Sequence, residues 1–330
     1  MSKVRVGFVG AGGIAGAHME ALSIHEKVQL TAVCDVVAAS AQKAADRYGM
    51  QAYGDFDAML ESEQLDVLFV CVPPFAHGDI EEKACAKGIH LFVEKPLGLD
   101  MDVIRKKAEI IRQAGIMSAS GYVLRYLDTA SKAREFLQGK TIGLVRAHYM
   151  TSFVPTPWWR DMAKSGGQLV EQTTHTVDMV RFLAGDIRKV YAQMALRVMG
   201  DIENLNIPDV GTMSIVFDSG AVGHVDTCFI QPDHRVAVEV QGRDFRVVLD
   251  GSTLSITENN RTVTVKSETK DMMFAQDSAF IEAVLTGDRS LILAPYDDAL
   301  KTVEATLAAN KSAETGHAVV LGEEGLTVNA

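Results

Sequence analysis

The stretch Val4–His18, VRVGFVGAGGIAGAH, constrains this chain more than any other. An apolar run rich in valine ends at Gly10, and Gly12, Gly13, Ile14, Ala15 and Gly16 follow before a helical pattern sets in. The order is G-x-G-x-x-A, after a strand and before a helix. Gly10 permits a tight turn. Gly12 has no Cβ, so the backbone can approach a pyrophosphate, and Ala15 is small enough for close helix–strand packing. The helix N-terminus then offers free N–H groups to an anion. A well-capped turn is the plainer alternative, but the position at the head of a βαβ series favours a dinucleotide.

The first 120 or so residues continue that series. Apolar runs at 4–10, 28–35, 65–72, 89–95 and 116–122 alternate with helical stretches near 14–24, 38–48, 77–87 and 100–113. Near-continuous apolar strands separated by helices predict a parallel sheet covered on both faces, and the crossover rule makes it doubly wound. After residue 122 the strand-like runs follow one another directly, with DSG and GRD as hairpin turns. The expectation is α/β: a Rossmann domain at 1–122, then an α+β domain with an open, mainly antiparallel sheet at 123–330. The net charge of −11 and the lack of a basic block argue against nucleic-acid or anionic-membrane partners. No run reaches the ~18 apolar residues of a membrane span. Cys34, Cys71, Cys85 and Cys228 lie far apart, so neither a metal site nor a disulfide is expected, and a reducing cytoplasm is the simplest location.

Asp35 ends the second apolar run, slightly beyond the ~20-residue spacing of an acidic ribose ligand. A carboxylate there accepts from ribose hydroxyls and repels a 2′-phosphate. No Arg or Lys follows in DVVAAS, so NAD is expected over NADP. The bland alternative makes Asp35 a cap of the next helix. Two further motifs leave strands where ligands bind in open parallel sheets, VPPFAH (Val72, Pro73, His77) and VEKPL (Glu94, Lys95). Pro96 restricts where Lys95 can point. An ammonium there suits a substrate oxygen, and an exposed lysine beside a turn is the equal alternative.

Ser165 with Gln168 reads as a capping box, predicting a helix from Gly166. At ~100° per residue, Glu171, His175, Asp178 and Phe182 share one face, opposite Leu169, Thr173, Thr176, Val180 and Leu183. The polar face looks to solvent or to the nucleotide domain, and periodicity alone favours solvent.

The glycine motif, Asp35, VPPFAH, EKPL and the glycine-rich turn before Glu171 and His175 together resemble the Gfo/Idh/MocA oxidoreductases, over the whole chain. The resemblance implies a tightly held nicotinamide cofactor and hydride transfer on sugars, polyols or inositols, in a homodimer or homotetramer. It makes His175 the acid/base, with Lys95 polarising the reacting oxygen. Glu171 would orient the imidazole or bind a neighbouring hydroxyl, and it stands where the family usually carries aspartate. Arg125 and Tyr126 fall in a matching segment at the domain junction, where the resemblance brings them within reach of substrate or cofactor. Trp159 and Arg160 precede the helix, where an aromatic face suits a sugar ring and core anchoring is as good a reading. His77 either lines the nicotinamide end or caps its helix. His18, with the other histidines, reads as structural or surface. Two rival functions use the same fold: a redox-neutral, NAD-using lyase or glycosidase, and a non-catalytic NAD-binding regulator. The presence of both Lys95 and His175 counts against the regulator.

Overall fold

Valine-rich runs too short for stable helices pair into a buried parallel sheet in the computed structural model, which describes residues 3–322 and 327–329. The strands are β1 (Val4–Val9), β2 (Val28–Cys34), β3 (Gln51–Tyr53), β4 (Val67–Val70), β5 (His90–Val93) and β6 (Ser118–Ser120). Their order is β3-β2-β1-β4-β5-β6, all parallel. The strand order reverses between β1 and β4, and that switch point is where such sheets bind ligands. Five of these strands match the sequence expectation. β3 was not anticipated.

Register stacks three phenylalanines across the centre. Phe8 pairs with Phe69, and Phe69 with Phe92. Their ring centroids lie 5.1 and 4.6 Å apart. Phe280 meets Phe69 and Phe92 edge-on at 6.2 and 5.6 Å, and such pairs add about 0.5–1.5 kcal/mol each beyond burial. Phe280 belongs to the helix Met272–Thr286. This packing draws a later segment into the first unit. The compact units are Met1–Val123 with Asp271–Leu300, and Leu124–Lys270 with Lys301–Ala330. Residues 271–300 return to the first unit because Phe280, Ile281 and Ala283 complete its core.

The second unit is built on ten strands. They are β7 (Ile142–Met150), β8 (Ile187–Ala195), β9 (Val210–Phe217), β10 (Val222–Cys228), β11 (Arg235–Gly242), β12 (Phe245–Asp250), β13 (Thr253–Glu258), β14 (Arg261–Lys266), β15 (Ala318–Val320) and β16 (Thr327–Asn329). Their order is β14-β13-β12-β11-β7-β10-β9-β8-β15-β16, antiparallel except for the β7–β10 pair. The DSG and GRD turns fall where expected. Gly220 and Asp244 take positive φ, as tight hairpins require. The helix Thr174–Ala184 packs on β7 and β11, and its Thr176, Val177 and Val180 are buried. Among the described residues no helix is long and apolar enough to cross a membrane.

Candidate cofactor and active site

The glycine turn has the shape its sequence predicts. Gly10 has φ +98°, and a Cβ there would lie 2.3 Å from the Cys71 carbonyl oxygen, so no other residue fits without moving backbone. That close approach brings Cys71 and Val72, just past the end of β4, beside the turn, and Pro73 follows them in sequence. Gly12 and Gly13 differ from Gly10, since a Cβ on either meets nothing within 4 Å. Ile14, beside them, is exposed, whereas Ala15 is fully buried against the sheet. The helix Gly13–Ser23 begins with no side-chain cap and no acid in its first turn. Its first N–H groups are therefore left for an outside acceptor.

Asp35 is half-buried at the end of β2. Its Oδ2 accepts from the Ala11 amide at 2.7 Å and its Oδ1 from the Val37 amide at 2.8 Å. It is not the cap of the next helix, Ala38–Tyr48, whose N-cap is Val37. The carboxylate instead ties the glycine turn to β2 and keeps lone pairs for a ribose.

His77 is buried and donates from Nδ1 to Glu81 Oε1 at 2.6 Å. Lys107 lies behind it, donating to Glu81 Oε2 at 2.5 Å and to the Gly78 carbonyl at 2.8 Å. Burial by itself raises the Glu81 carboxyl, but His77 and Lys107 hold it below the usual range. The other ring nitrogen of His77, Nε2, is buried and has no hydrogen-bond partner among the described residues. An orphan nitrogen at this depth calls for a polar ligand atom. The open glycine cradle, the uncapped helix and this nitrogen together fit NAD.

Lys95 follows β5 and is half-buried, and its bond to Pro96 is cis. Glu94, expected at the cofactor, is buried beneath that turn. It accepts from His18 Nε2 through Oε1 at 3.1 Å and from the Lys95 amide through Oε2 at 3.1 Å.

In the second unit the anticipated helix from Gly166 is interrupted. Met162–Ser165 is a single turn closed by Gly166 at φ +72°. Gly167–Glu171 follows, and Thr174–Ala184 begins anew after Gln172 and Thr173. The capping box does not form. Ser165 Oγ accepts from the Gly167 amide, while Gln168 donates to the Cys228 carbonyl and accepts from Thr227 Oγ1. Glu171 and His175 therefore sit on two helices with a break between them, and the shared-face argument does not carry across it. Both are half-buried. Trp159 Nε1 donates to Glu171 Oε2 at 3.3 Å.

Three side chains expected at substrate have partners inside the protein. Asp178 and Arg125 form a buried two-point ion pair at 2.7 and 2.6 Å. Burial pushes the Asp178 carboxyl up, and Arg125 pulls it the other way. Trp159 is 2% exposed, packed on Phe229 with Ile207 and Leu205, so it has no ring face for a sugar and anchors its loop. Arg160 donates to the Pro155 and Glu203 carbonyls and covers Phe153, bracing the same loop. Tyr126 is half-buried in the 3-10 turn Val123–Tyr126.

Known proteins give the same picture. The family model described as an oxidoreductase family with an NAD-binding Rossmann fold matches residues 4–122, and the GFO/IDH/MocA C-terminal domain matches 131–255. The chain is 30% identical to the myo-inositol 2-dehydrogenase of Thermotoga maritima, over 79% of this chain and 77% of that protein. It is 28% identical to the inositol 2-dehydrogenase of Rhizobium meliloti, over 81% and 79%. The crystal structure of GenD2 from gentamicin A biosynthesis, in complex with NAD, superposes with a TM-score of 0.86 at 26% identity, covering 98% of this chain and 97% of that one. With both family models matched in order along the sequence, the chain belongs to the Gfo/Idh/MocA oxidoreductase family.

Proposed function

We propose that the protein is an NAD-dependent dehydrogenase that moves a hydride between the nicotinamide and a carbinol carbon of a sugar, sugar derivative or inositol. The observation that carries this reading is the uncapped glycine cradle, open at Gly12 and Gly13, in a chain of this family. NAD, when bound, supplies the hydride acceptor. Gly12, Gly13 and the first N–H groups of Gly13–Ser23 hold its phosphates, Asp35 takes the ribose, and His77 Nε2 is offered to the nicotinamide end.

The chemical roles follow the resemblance. Lys95 donates a hydrogen bond to the reacting oxygen and favours its alkoxide-like form. His175 takes the hydroxyl proton, the general-base task that an imidazole nitrogen performs. Glu171 steadies the imidazole or a neighbouring hydroxyl, with its own position limited by Trp159. The same reading expects a homodimer or homotetramer, which light scattering on the purified protein measures directly.

The test is incubation with NAD and a panel of inositols, aldoses, sugar acids and glycosides, with Lys95→Ala as the control. NADH absorbance and substrate mass are followed together. Reduction of NAD by one substrate group, lost in the variant while NAD still binds, is the expected result. Substrate consumption without net reduction overturns the dehydrogenase in favour of redox-neutral chemistry.

A further inference from the structure

His18 has no local sequence signal, yet it lies at a junction. It sits on the helix Gly13–Ser23, whose N-terminus forms the cofactor cradle. Its ring is fully buried, 5.1 Å from the Phe69 ring and 5.0 Å from that of Phe92. Nδ1 donates to the Asp277 carboxylate, at 2.8 and 2.9 Å from its two oxygens, and Nε2 to Glu94 Oε1. The other oxygen of Glu94 accepts the Lys95 amide. A Cβ on Gly121 would lie 2.1 Å from Glu94 Oε1, so the carboxylate is held against backbone on that side.

Burial works against a charge on His18, but Asp277 and then Glu94 raise its pKa to about 10. A carboxylate oxygen faces each ring nitrogen, so the ring donates from both. A carboxylate–imidazolium–carboxylate line in an apolar core is a poor stability device, because apolar residues of like volume often do as well or better. What the line gives is geometry. It joins three segments that share one core: the cradle helix, the helix Met272–Thr286, and the end of β5.

We infer that His18 and Asp277 are positioning residues for Lys95. They fix the Glu94 carboxylate, which fixes the Lys95 amide, so the helix that opens on the cofactor cradle also sets where the lysine leaves the sheet. The inference rests on the catalytic role given to Lys95 above.

The test uses the full-length protein with His18→Asn and Asp277→Asn. Asparagine at 18 keeps a donor near the Nδ1 position and loses the reach to Glu94. Asp277→Asn keeps the shape and removes a charge, and it carries the test if the first variant does not fold. Residue-resolved hydrogen exchange, which needs no substrate, is read at Lys95, Phe92 and Val93. Lys95 should exchange roughly tenfold faster or more in His18→Asn, the scale of one lost charge-assisted bond, and less so in Asp277→Asn. Phe92 and Val93 should stay as protected as before. Turnover with NAD and the sugar or inositol that the parent oxidises should fall by a similar factor in kcat, with Kd for NAD within about twofold. Unchanged exchange at Lys95 overturns the inference, as does unchanged kcat or a uniform loss of protection along β5. An active Lys95→Ala instead overturns the catalytic role of the lysine. An inactive Lys95→Ala beside a fully active His18→Asn removes the coupling alone.

Discussion

Gly10 and Gly12 stand two residues apart, and an added methyl should do opposite things at each. At Gly10 the Cβ meets the Cys71 carbonyl at 2.3 Å, on a backbone with φ +98°. The left-handed conformation costs a non-glycine residue about 1–2 kcal/mol, and a contact to buried backbone adds strand displacement, for a total of about 2–4 kcal/mol. At Gly12 the Cβ meets nothing, and φ −78°, ψ −169° suits alanine. Exchanging glycine for alanine at an N-cap costs about 0.5–1 kcal/mol. The methyl does, however, occupy the space through which a pyrophosphate approaches. Losing one or two charge-assisted hydrogen bonds of about 1.5–3 kcal/mol each weakens NAD binding by about 10- to 100-fold or more. The assay is urea unfolding of each variant without nucleotide, paired with fluorescence titration by NADH. Gly10→Ala should lose stability, whereas Gly12→Ala should unfold nearly as the parent does and bind NADH poorly. A Gly12→Ala protein with parental NADH affinity would refute the cradle, whatever its stability.

His175→Ala should lower kcat by on the order of 100-fold or more, and steady-state kinetics showing a change in KM alone would make the histidine a binding residue. Asp35→Ala combined with Val36→Arg should move preference from NAD toward NADP, as Val36 is 95% exposed beside the ribose candidate; an unchanged ratio of kcat/KM for the two nucleotides removes that role from Asp35. A histidine whose folded pKa is raised stabilises the fold fully below its unfolded value near 6.5 and loses that contribution as pH rises through about 10. Unfolding midpoints of the parent should therefore fall between those limits, and His18→Asn should flatten that slope; equal slopes would mean that His18 is neutral in the folded protein.

The sequence made legible what adjacent residues settle among themselves. Gly10 to Ala15 encode strand, turn and helix within one short stretch, and the structure repeats that order with Ala15 buried and Gly12 open. What stayed hidden depends on distant partners. β3 is only Gln-Ala-Tyr, too short and too polar to stand out, and it exists because β2 offers it an edge. The break before His175 has the same kind of cause. Thr173 Oγ1 pairs with Thr227 Oγ1 at 2.6 Å and Gln168 reaches Thr227 and Cys228, so β10 holds side chains on both sides of the break. For Trp159 and Arg125 residue type leaves burial and internal partners unsaid. An indole suits a sugar and a guanidinium suits a carboxylate, but here the first fills a core and the second is matched to Asp178. His18 and Asp277 are 259 residues apart, and no periodicity relates them. Local pattern thus identifies the parts that bind a common cofactor, since a phosphate needs only one turn and one helix end. The parts that aim a catalytic side chain are set by contacts between distant segments, and there the structure has to speak first.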